Sequence, residues 1–282
     1  MRVFITGSKG QLGAAFVRRF QANGWDYAAA DLDTLDISDG NAVMAAIMPY
    51  RPALILNCAA YNLVDKAETD SAAAFAVNAE GPRLLALAAR KLEATLVHYG
   101  TSYIFDGEKS SPYTETDKPS PLSNYGHSKL KGEEYALQAP GSLVLRLSWV
   151  FGQGAQNFIH KVKGWAANAG PLRVAADEVA GPTSTEDIVN VTLEALKRGL
   201  TGTWNLTNTG SCSRYDWAKL ILKEYGLDKE VQPAKMSDFN LAARRPRFSA
   251  MSNEALCREL GITIPAWEEA VRAFIKETKC LK

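Results

Sequence analysis

The stretch VFITGSKGQLG, at residues 3–13, decides the fold. The apolar run Val3–Thr6 predicts a buried strand, and it leads directly into Gly7, Gly10 and Gly13, which are spaced three residues apart. A helix is expected next, because apolar residues recur at helical spacing after the turn. A strand, a glycine turn and a helix in this order bring backbone N–H groups close to a pyrophosphate. We therefore predict a dinucleotide site here, and a purely structural turn is the alternative.

An acidic residue follows at the distance that such a site requires. Asp31 ends the second apolar run, roughly 20 residues beyond the glycine turn, where a carboxylate can accept hydrogen bonds from the adenosine ribose. It would repel a 2′-phosphate and so favours NADH, but Lys9 in the turn could neutralise it, which leaves NADPH open. Asp36 and Ile37 could flank the adenine. Equally, they could be an exposed loop acid beside a core isoleucine.

Short apolar runs alternate with helical patterns over the first 150 residues, which predicts a parallel sheet covered by helices. The runs are Val3–Thr6, Tyr27–Ala30, Leu54–Asn57, residues 96–99 and Leu143–Leu147. We expect an α/β protein with a Rossmann-type, doubly wound parallel sheet: an NAD(P)-binding domain at residues 1–150 with a segment returning to it near residues 183–205. Glycine-rich turns interrupt the remainder, so residues 151–282 are expected to form mainly a smaller α/β substrate-binding domain.

Composition and charge argue against several classes of protein. Among 282 residues, 32 are basic and 31 acidic, for a net charge of +1, so no nucleic-acid surface is expected. The four cysteines are scattered without a CxxC pair, which is typical of a reducing compartment. The sequence has no apolar stretch of about 18 residues, and its first apolar run stops at the glycine turn, so we expect neither a membrane span nor a signal peptide. We expect a cytoplasmic protein, either a monomer or a weak homodimer.

A tyrosine and a lysine stand four residues apart, at Tyr125 and Lys129, where a helix is expected to begin. On a helix they share a face, so the phenol and the ammonium would lie side by side. Lowering a phenol pKa from near 10 to about 7 takes roughly 4 kcal/mol, which the ammonium and a cationic nicotinamide could share. Thr101 follows the fourth strand, where open α/β sheets bind ligands, and is placed to hold the reacting oxygen. The alternatives are an ordinary tyrosine and lysine on a helix surface, and a threonine that caps a turn.

Four further stretches combine with these motifs into a specific resemblance. They are NCAAYNLVDKAE at 57–68, SWVFG at 148–152, GPT at 181–183 and ARRPRFS at 243–249. The chain resembles the dTDP-4-dehydrorhamnose reductase family of extended short-chain dehydrogenases/reductases, from residue 3 to about residue 260. The resemblance implies reduction of the 4-keto group of dTDP-4-dehydro-L-rhamnose to dTDP-L-rhamnose by NADPH or NADH.

The resemblance also implies roles for individual residues. Tyr125 would donate the proton, Lys129 would bind the nicotinamide ribose, and Thr101 would tune the tyrosine. The cofactor positions are Gly7, Gly10, Gln11, Leu12, Gly13, Asp31, Asp36, Ile37, Ala59, Ala60, Tyr61, Asn62, Tyr125 and Lys129. The substrate positions are Thr101, Ser102, Tyr103, Trp149, Asn157 and Arg245.

This chain departs from the family pattern at three places. Ser102 stands where the family usually has aspartate, which bears on sugar specificity more than on hydride transfer. Asn62 replaces the usual threonine. Some family members hold magnesium through a glutamate early in the first helix, where this chain has Ala14 and Ala15, so no metal site is expected.

Two other functions stay open from the sequence. One is a nucleotide-sugar epimerase that keeps its NAD tightly bound. A dehydratase is disfavoured, because the hydroxyl of Ser102 is a poor proton donor for expelling water. The other is a regulatory subunit that binds NADP without catalysis, although the presence of Thr101, Tyr125 and Lys129 favours an enzyme.

Gly10→Val is expected to abolish NAD(P)H binding while the fold is retained. The branched side chain would occupy the space through which a pyrophosphate approaches the backbone. Titration of the folded variant with nucleotide checks this. An affinity equal to that of the wild type would place the phosphate site elsewhere.

Overall fold

The structure is a computed structural model that describes residues 1–154 and 157–280. Its strands are β1 (Val3–Thr6), β2 (Tyr27–Ala30), β3 (Leu54–Asn57), β4 (Thr95–Thr101), β5 (Leu143–Leu147), β6 (Val150–Phe151), β7 (Leu172–Ala175), β8 (Val179–Ala180), β9 (Thr183–Ser184), β10 (Gly202–Asn205), β11 (Cys212–Ser213) and β12 (Val231–Ala234). Its helices are α1 (Gln11–Ala22), α2 (Gly40–Tyr50), α3 (Ser71–Phe75), α4 (Gly81–Leu92), α5 (Asn124–Ala136), α6 (Phe158–Trp165), α7 (Thr185–Lys197), α8 (Arg214–Tyr225), α9 (Glu254–Leu260) and α10 (Trp267–Cys280).

Six strands form one sheet in the order β10-β5-β4-β3-β1-β2, and every pairing in it is parallel. The chain winds outward from β1 in both directions, so the order reverses between β1 and β3. In an open parallel sheet, the crevice beyond the carboxyl ends of the strands at such a reversal is where ligands bind. The predicted Rossmann-type, doubly wound α/β fold is confirmed.

Alternate residues of each strand face opposite layers of helices, which explains why the strands are apolar throughout. Val3 and Ile5 of β1 point into a core with α1, α7 and α9, whereas Phe4 points into a core with α2 and α4. Both layers of helices are needed to cover the sheet. The layer that contains α1 also contains α7 and α9, which come from the second half of the chain.

The sequence predicts a return of the chain near residues 183–205, and in the structure α7 packs against α1 and β10 lies at the sheet edge. Helix α9 packs into the same core, a second return that the sequence pattern does not predict. Helices α6, α8 and α10 form a separate core around the fully buried Trp217 of α8. The short strand pairs β7–β12, β8–β11 and β6–β9 lie outside the six-stranded sheet.

Small polar side chains fix where several helices begin. Asp39 accepts from the first N–H groups of α2, and serines do the same for three other helices: Ser123 for α5, Ser184 for α7 and Ser213 for α8. Such caps stabilise a helix by about 1 kcal/mol each. The cap at Ser123 matters most for the site, because it sets the start of the helix that carries Tyr125 and Lys129.

Gly13→Ala is expected to lower the free energy of unfolding by about 1–3 kcal/mol, as overpacked positions do. A Cβ at Gly13 would lie 2.1 Å from the carbonyl oxygen of Gly7, which is backbone and cannot yield easily. Gly164→Ala is the matched control, because Gly164 is also helical but a Cβ there meets nothing within 4 Å. That control should stabilise the protein by about 0.5–1 kcal/mol. Chemical denaturation of both variants measures the difference, and equal effects would contradict the close approach at Gly13.

Candidate active site

The glycine turn closes on itself through backbone contacts. Gly7 has a φ of +65°, and its carbonyl accepts from the N–H of Gly10 at 3.1 Å. A Cβ at Gly7 would lie 2.5 Å from the backbone nitrogen of Ala59. At Gly10, in contrast, the nearest atom to a Cβ would be 3.3 Å away. Two of the three glycines therefore permit backbone packing, and Gly10 faces the open cavity.

A cavity of about 420 Å³ lies at the carboxyl ends of β1, β3, β4 and β5. Of the predicted residues, it is lined by Gly10, Gln11, Leu12, Ala59, Ala60, Asn62, Thr101, Tyr125, Lys129 and Trp149. The cavity is also lined by residues that the sequence did not predict, including Cys58, Leu63, Ser148 and Lys161. The fold thus brings the glycine turn and the predicted catalytic residues to one cavity.

The cavity has the features that a dinucleotide requires. Gly10 leaves backbone space at the start of α1, and the buried Oε1 of Gln11 has no hydrogen-bond partner within the described chain. Asp31 lies beside the turn, where it accepts from the backbone N–H of Lys9 at 2.7 Å. The side chain of Lys9 forms an ion pair with Asp33, and the nearby charge of Asp31 also helps to raise the pKa of Lys9.

Asp36 and Ile37 lie in the loop between β2 and α2. Asp36 is exposed and accepts from both the N–H and the hydroxyl of Ser38. Ile37 is 4% exposed, and its side chain fills the space that a Cβ of Gly81 would take. The side chain of Ile37 therefore packs in the core and does not line the cavity.

A π-helical turn holds the loop after β3 in place. This turn, Ala76–Glu80, carries Asn78, whose side chain accepts from the N–H of Tyr61 at 2.8 Å and donates to the carbonyl of Tyr61 at 3.1 Å. The same amide donates to Ser128 of α5 at 3.0 Å. Short π-helical turns are often found at functional sites. Here one links the loop at residues 59–62 to the helix that carries Tyr125.

Tyr125 lies at the cavity with two polar neighbours. Its hydroxyl donates to Asn62 Oδ1 at 3.5 Å. Burial raises the pKa of Tyr125, and a hydrogen bond to the Thr101 hydroxyl partly opposes this. Thr101 also accepts from the N–H of Tyr103, so the threonine both caps a turn and lines the cavity.

Lys129 reaches across to the sheet. Its Nζ donates to the carbonyl of Tyr99 at 2.6 Å, and the residue is 3% exposed. Burial lowers the pKa of Lys129 to about 8. The sequence predicts that this ammonium and a cationic nicotinamide together lower the pKa of Tyr125; within the protein itself, burial is the larger influence and raises that pKa.

Trp149 forms one wall of the cavity in a strained conformation. Its φ is +39°, in the left-handed region that bulky side chains rarely adopt. The indole is parallel to that of Trp217, with ring centroids 5.6 Å apart, and the guanidinium of Arg214 lies 3.6 Å from its ring centroid. The buried indole N–H of Trp149 has no acceptor among the residues that the structure describes. A backbone outlier with an unused donor is typical of a ligand contact.

Glu178 links Tyr103 to Arg214, whose guanidinium lies over the Trp149 ring, and the sequence did not predict this contact. Its carboxylate accepts from the hydroxyl of Tyr103 at 2.8 Å and from Nε of Arg214 at 3.3 Å. Burial, together with the charge of Glu178, raises the pKa of Tyr103. Tyr103, Glu178 and Arg214 lie far apart in the sequence. The nearest sequence signal to Glu178 is the GPT stretch, which begins three residues later at Gly181.

Two predicted substrate residues, Ser102 and Asn157, make hydrogen bonds within the protein. Ser102 is 1% exposed, and its hydroxyl points to Ser148 and Ser249 at 3.3 and 3.4 Å. Asn157 caps α6: its Oδ1 accepts from the N–H of His160, and its Nδ2 donates to the carbonyls of residues 152 and 154. Neither side chain lines the cavity, because both are committed to protein partners.

Arg245 makes a two-pronged ion pair with Asp65, with contacts of 3.0 and 2.6 Å. This pair joins the loop after β3 to the arginine-rich loop at 243–249, and it commits the guanidinium of Arg245. The neighbouring Arg244 and Arg247 are exposed and line a second cavity of about 660 Å³, together with Lys235. The same cavity is also lined by the acidic residues Asp106, Glu108 and Asp177.

The described residues contain neither a candidate metal cluster nor a candidate membrane-spanning helix. Within 1–154 and 157–280 there is no group of three or more His, Cys, Asp or Glu side chains placed to hold a metal ion. In the same ranges, no helix has the length and apolar character to cross a membrane.

A doubly wound sheet with a glycine turn and a tyrosine–lysine pair at one cavity defines the Rossmann-type class of nucleotide-dependent enzymes. A family model described as the RmlD substrate binding domain matches residues 1–280. The chain belongs to this family.

Individual relatives cover nearly the whole chain. A probable dTDP-4,6-dihydroxy-2-methyloxan-3-one 4-ketoreductase from Streptomyces antibioticus is 38% identical over 277 residues, with 96% of this chain and 94% of that protein covered. The dTDP-4-dehydrorhamnose reductase of Aggregatibacter actinomycetemcomitans is 34% identical over 285 residues, covering 96% and 97%. A crystal structure of dTDP-4-dehydrorhamnose reductase from Bacillus anthracis in complex with NADP has a TM-score of 0.94 and 32% identity, covering 98% and 99%.

Proposed function

We propose that the protein is an NAD(P)H-dependent reductase of a nucleotide sugar, and that it reduces the 4-keto group of dTDP-4-dehydro-L-rhamnose to dTDP-L-rhamnose. The observation that carries the proposal is the cavity itself, where Tyr125, Lys129 and Thr101 meet the open face of the glycine turn. Relatives named as reductases of dTDP-linked keto sugars support it, as does the solved structure with NADP.

The residues divide the chemistry between them. Gly10 and the N–H groups at the start of α1 would hold the pyrophosphate, and Lys129 would bind the nicotinamide ribose. When bound, the nicotinamide supplies a hydride to C4 of the sugar. Tyr125 donates a proton to the carbonyl oxygen, while the Thr101 hydroxyl holds that oxygen in place.

The raised pKa of Tyr125 keeps the phenol protonated at neutral pH, but it also makes the phenol a weaker acid, so proton transfer needs help from a neighbouring cation. Because burial stabilises the neutral phenol, the proton is present at neutral pH and is available for donation. The ammonium of Lys129 then stabilises the phenolate that remains after transfer. The proposed role of the lysine is thus to assist the product state of the proton transfer rather than to ionise the tyrosine beforehand.

The substrate approaches from the side of the strained tryptophan. Trp149 offers an apolar face and an unused N–H to the sugar, and Arg244 and Arg247 are placed to bind the diphosphate. Arg245 shapes that loop through its pair with Asp65. The relative from Streptomyces is named for a different dTDP sugar, so that substrate is included in the activity test.

The finer points of partner and location belong to the same proposal. We place the enzyme in the cytoplasm, as a monomer or weak homodimer acting on a dTDP-sugar. Four free cysteines, at Cys58, Cys212, Cys257 and Cys280, fit a reducing compartment. If the protein were instead an epimerase, it would retain NAD through purification and would not consume added NADPH. A regulatory subunit would turn over no nucleotide sugar and would co-purify with an enzyme.

Tyr125→Phe is expected to lower kcat by about 10²–10⁴ while the affinity for NADPH changes little, because the variant loses the transferable proton but keeps the ring. Lys129→Met should weaken both. NADPH oxidation with dTDP-4-dehydro-L-rhamnose measures kcat, and fluorescence titration measures the dissociation constant. Tyr135→Phe, on the same helix and half-exposed, is the matched control. Near-normal kcat in folded Tyr125→Phe would overturn the mechanism.

A further inference from the structure

A buried ion pair lies behind the catalytic face of α5. Glu133, one helical turn beyond Lys129, has a side chain that is 2% exposed and accepts from Nε of Arg146 at 3.0 Å. The other oxygen of Glu133 and Nη1 of Arg146 have no hydrogen-bond partner in the part of the chain that the structure describes. An incompletely satisfied buried pair is a poor source of stability, so its placement next to Lys129 requires another explanation.

The sheet is built to admit this carboxylate. A Cβ at Gly100 would lie 2.2 Å from Oε1 of Glu133, so only a glycine leaves room for it. The carboxylate therefore lies against the backbone of β4 at Gly100, between Tyr99, whose carbonyl accepts from Lys129, and Thr101. Burial raises the pKa of Glu133, and the neighbouring charge of Arg146 opposes this. One acidic side chain thus contacts the strand that positions both the lysine and the threonine of the site.

We propose that Glu133 is a positioning residue for Lys129: its carboxylate keeps the buried ammonium protonated and aimed at the cavity, and Arg146 holds the carboxylate. This inference rests on the proposed function, in which Lys129 must be a cation to bind the ribose and to stabilise the phenolate. Glu133 itself does not line the cavity and is not expected to touch the cofactor or the sugar.

The groups packed around the ammonium come from three elements. They are Tyr125 and Glu133 of α5, His98 and the Tyr99 carbonyl of β4, and Cys58 after β3. Burial lowers the pKa of His98 and raises that of the Cys58 thiol, so both are uncharged at neutral pH. Glu133 is therefore the anion that opposes the desolvation of Lys129, whose pKa stands at about 8.

The sign of the effect follows from this arrangement. Lys129 loses its proton, and with it the ribose contact, as the pH rises through its pKa. Removing the negative charge of Glu133 lowers that pKa further, so the loss must begin at lower pH. Removal of an opposite charge at this range shifts a pKa by about one unit or more.

The test is the affinity for NADPH as a function of pH in Glu133→Gln. At acidic pH the variant should bind as the wild type does, because Lys129 is protonated in both. The pH at which affinity for NADPH is lost should fall by about one unit or more, and the alkaline limb of kcat/KM should fall with it. At a pH above both pKa values of Lys129, the variant should therefore bind NADPH about tenfold more weakly than the wild type. Glu134→Gln is the matched control: the adjacent Glu134 is 53% exposed, pairs with Lys131, and should leave both profiles unchanged.

Two further variants separate positioning from folding. Glu133→Gln leaves Arg146 buried without its partner, so a double variant with Arg146→Met removes both charges and keeps the volume, an exchange that proteins often tolerate. It should show the same shift. Glu133→Asp keeps the charge and should restore most of the wild-type limb.

An unshifted limb in either folded variant would overturn the proposal. Because NADPH binding needs no sugar, this result is distinct from failure of the proposed function. A wild-type protein that binds NADPH with the expected pH limb but reduces no dTDP-linked keto sugar would overturn the reductase and leave the role of Glu133 toward Lys129 in place.

Discussion

The close approach of three backbone segments around Gly7 is the constraint on which the site depends. A Cβ at Gly7 would meet the backbone of Ala59 at 2.5 Å, and one at Gly13 would meet the Gly7 carbonyl at 2.1 Å. These contacts bring the end of β1, the start of α1 and the loop after β3 together at the reversal of the sheet. Because the walls of the cavity are backbone at this point, its shape is set by the fold rather than by side chains that can rotate.

Much of this arrangement could be predicted from the sequence, because it rests on local patterns. The buried strands are short apolar runs, and the glycine spacing, Asp31 and the Tyr125–Lys129 pair are each visible within a few residues. The fold brought Tyr125, Lys129 and Thr101 to one cavity because parallel strands end at the same edge of a sheet. Local pattern and topology therefore agree at the centre of the site.

What could not be predicted depends on contacts between distant segments. The sequence near Asn157 does not indicate that its side chain caps α6. The ion pair of Arg245 with Asp65 joins positions 180 residues apart. Similarly, helical spacing places an ammonium near the phenol of Tyr125 but says nothing about burial, and burial is the larger influence on its pKa. Charge patterns alone could not show which influence dominates.

The backbone of Trp149 has a consequence for how this protein can change over time. A φ of +39° costs a large residue about 1–3 kcal/mol, whereas glycine adopts it freely. Glycine at this position would relieve the backbone strain, but it would also remove the ring that packs against both Trp217 and Arg214. Backbone strain and ligand recognition therefore favour different residues here, so a search for strained positions alone would select against the wall of the protein's own binding cavity.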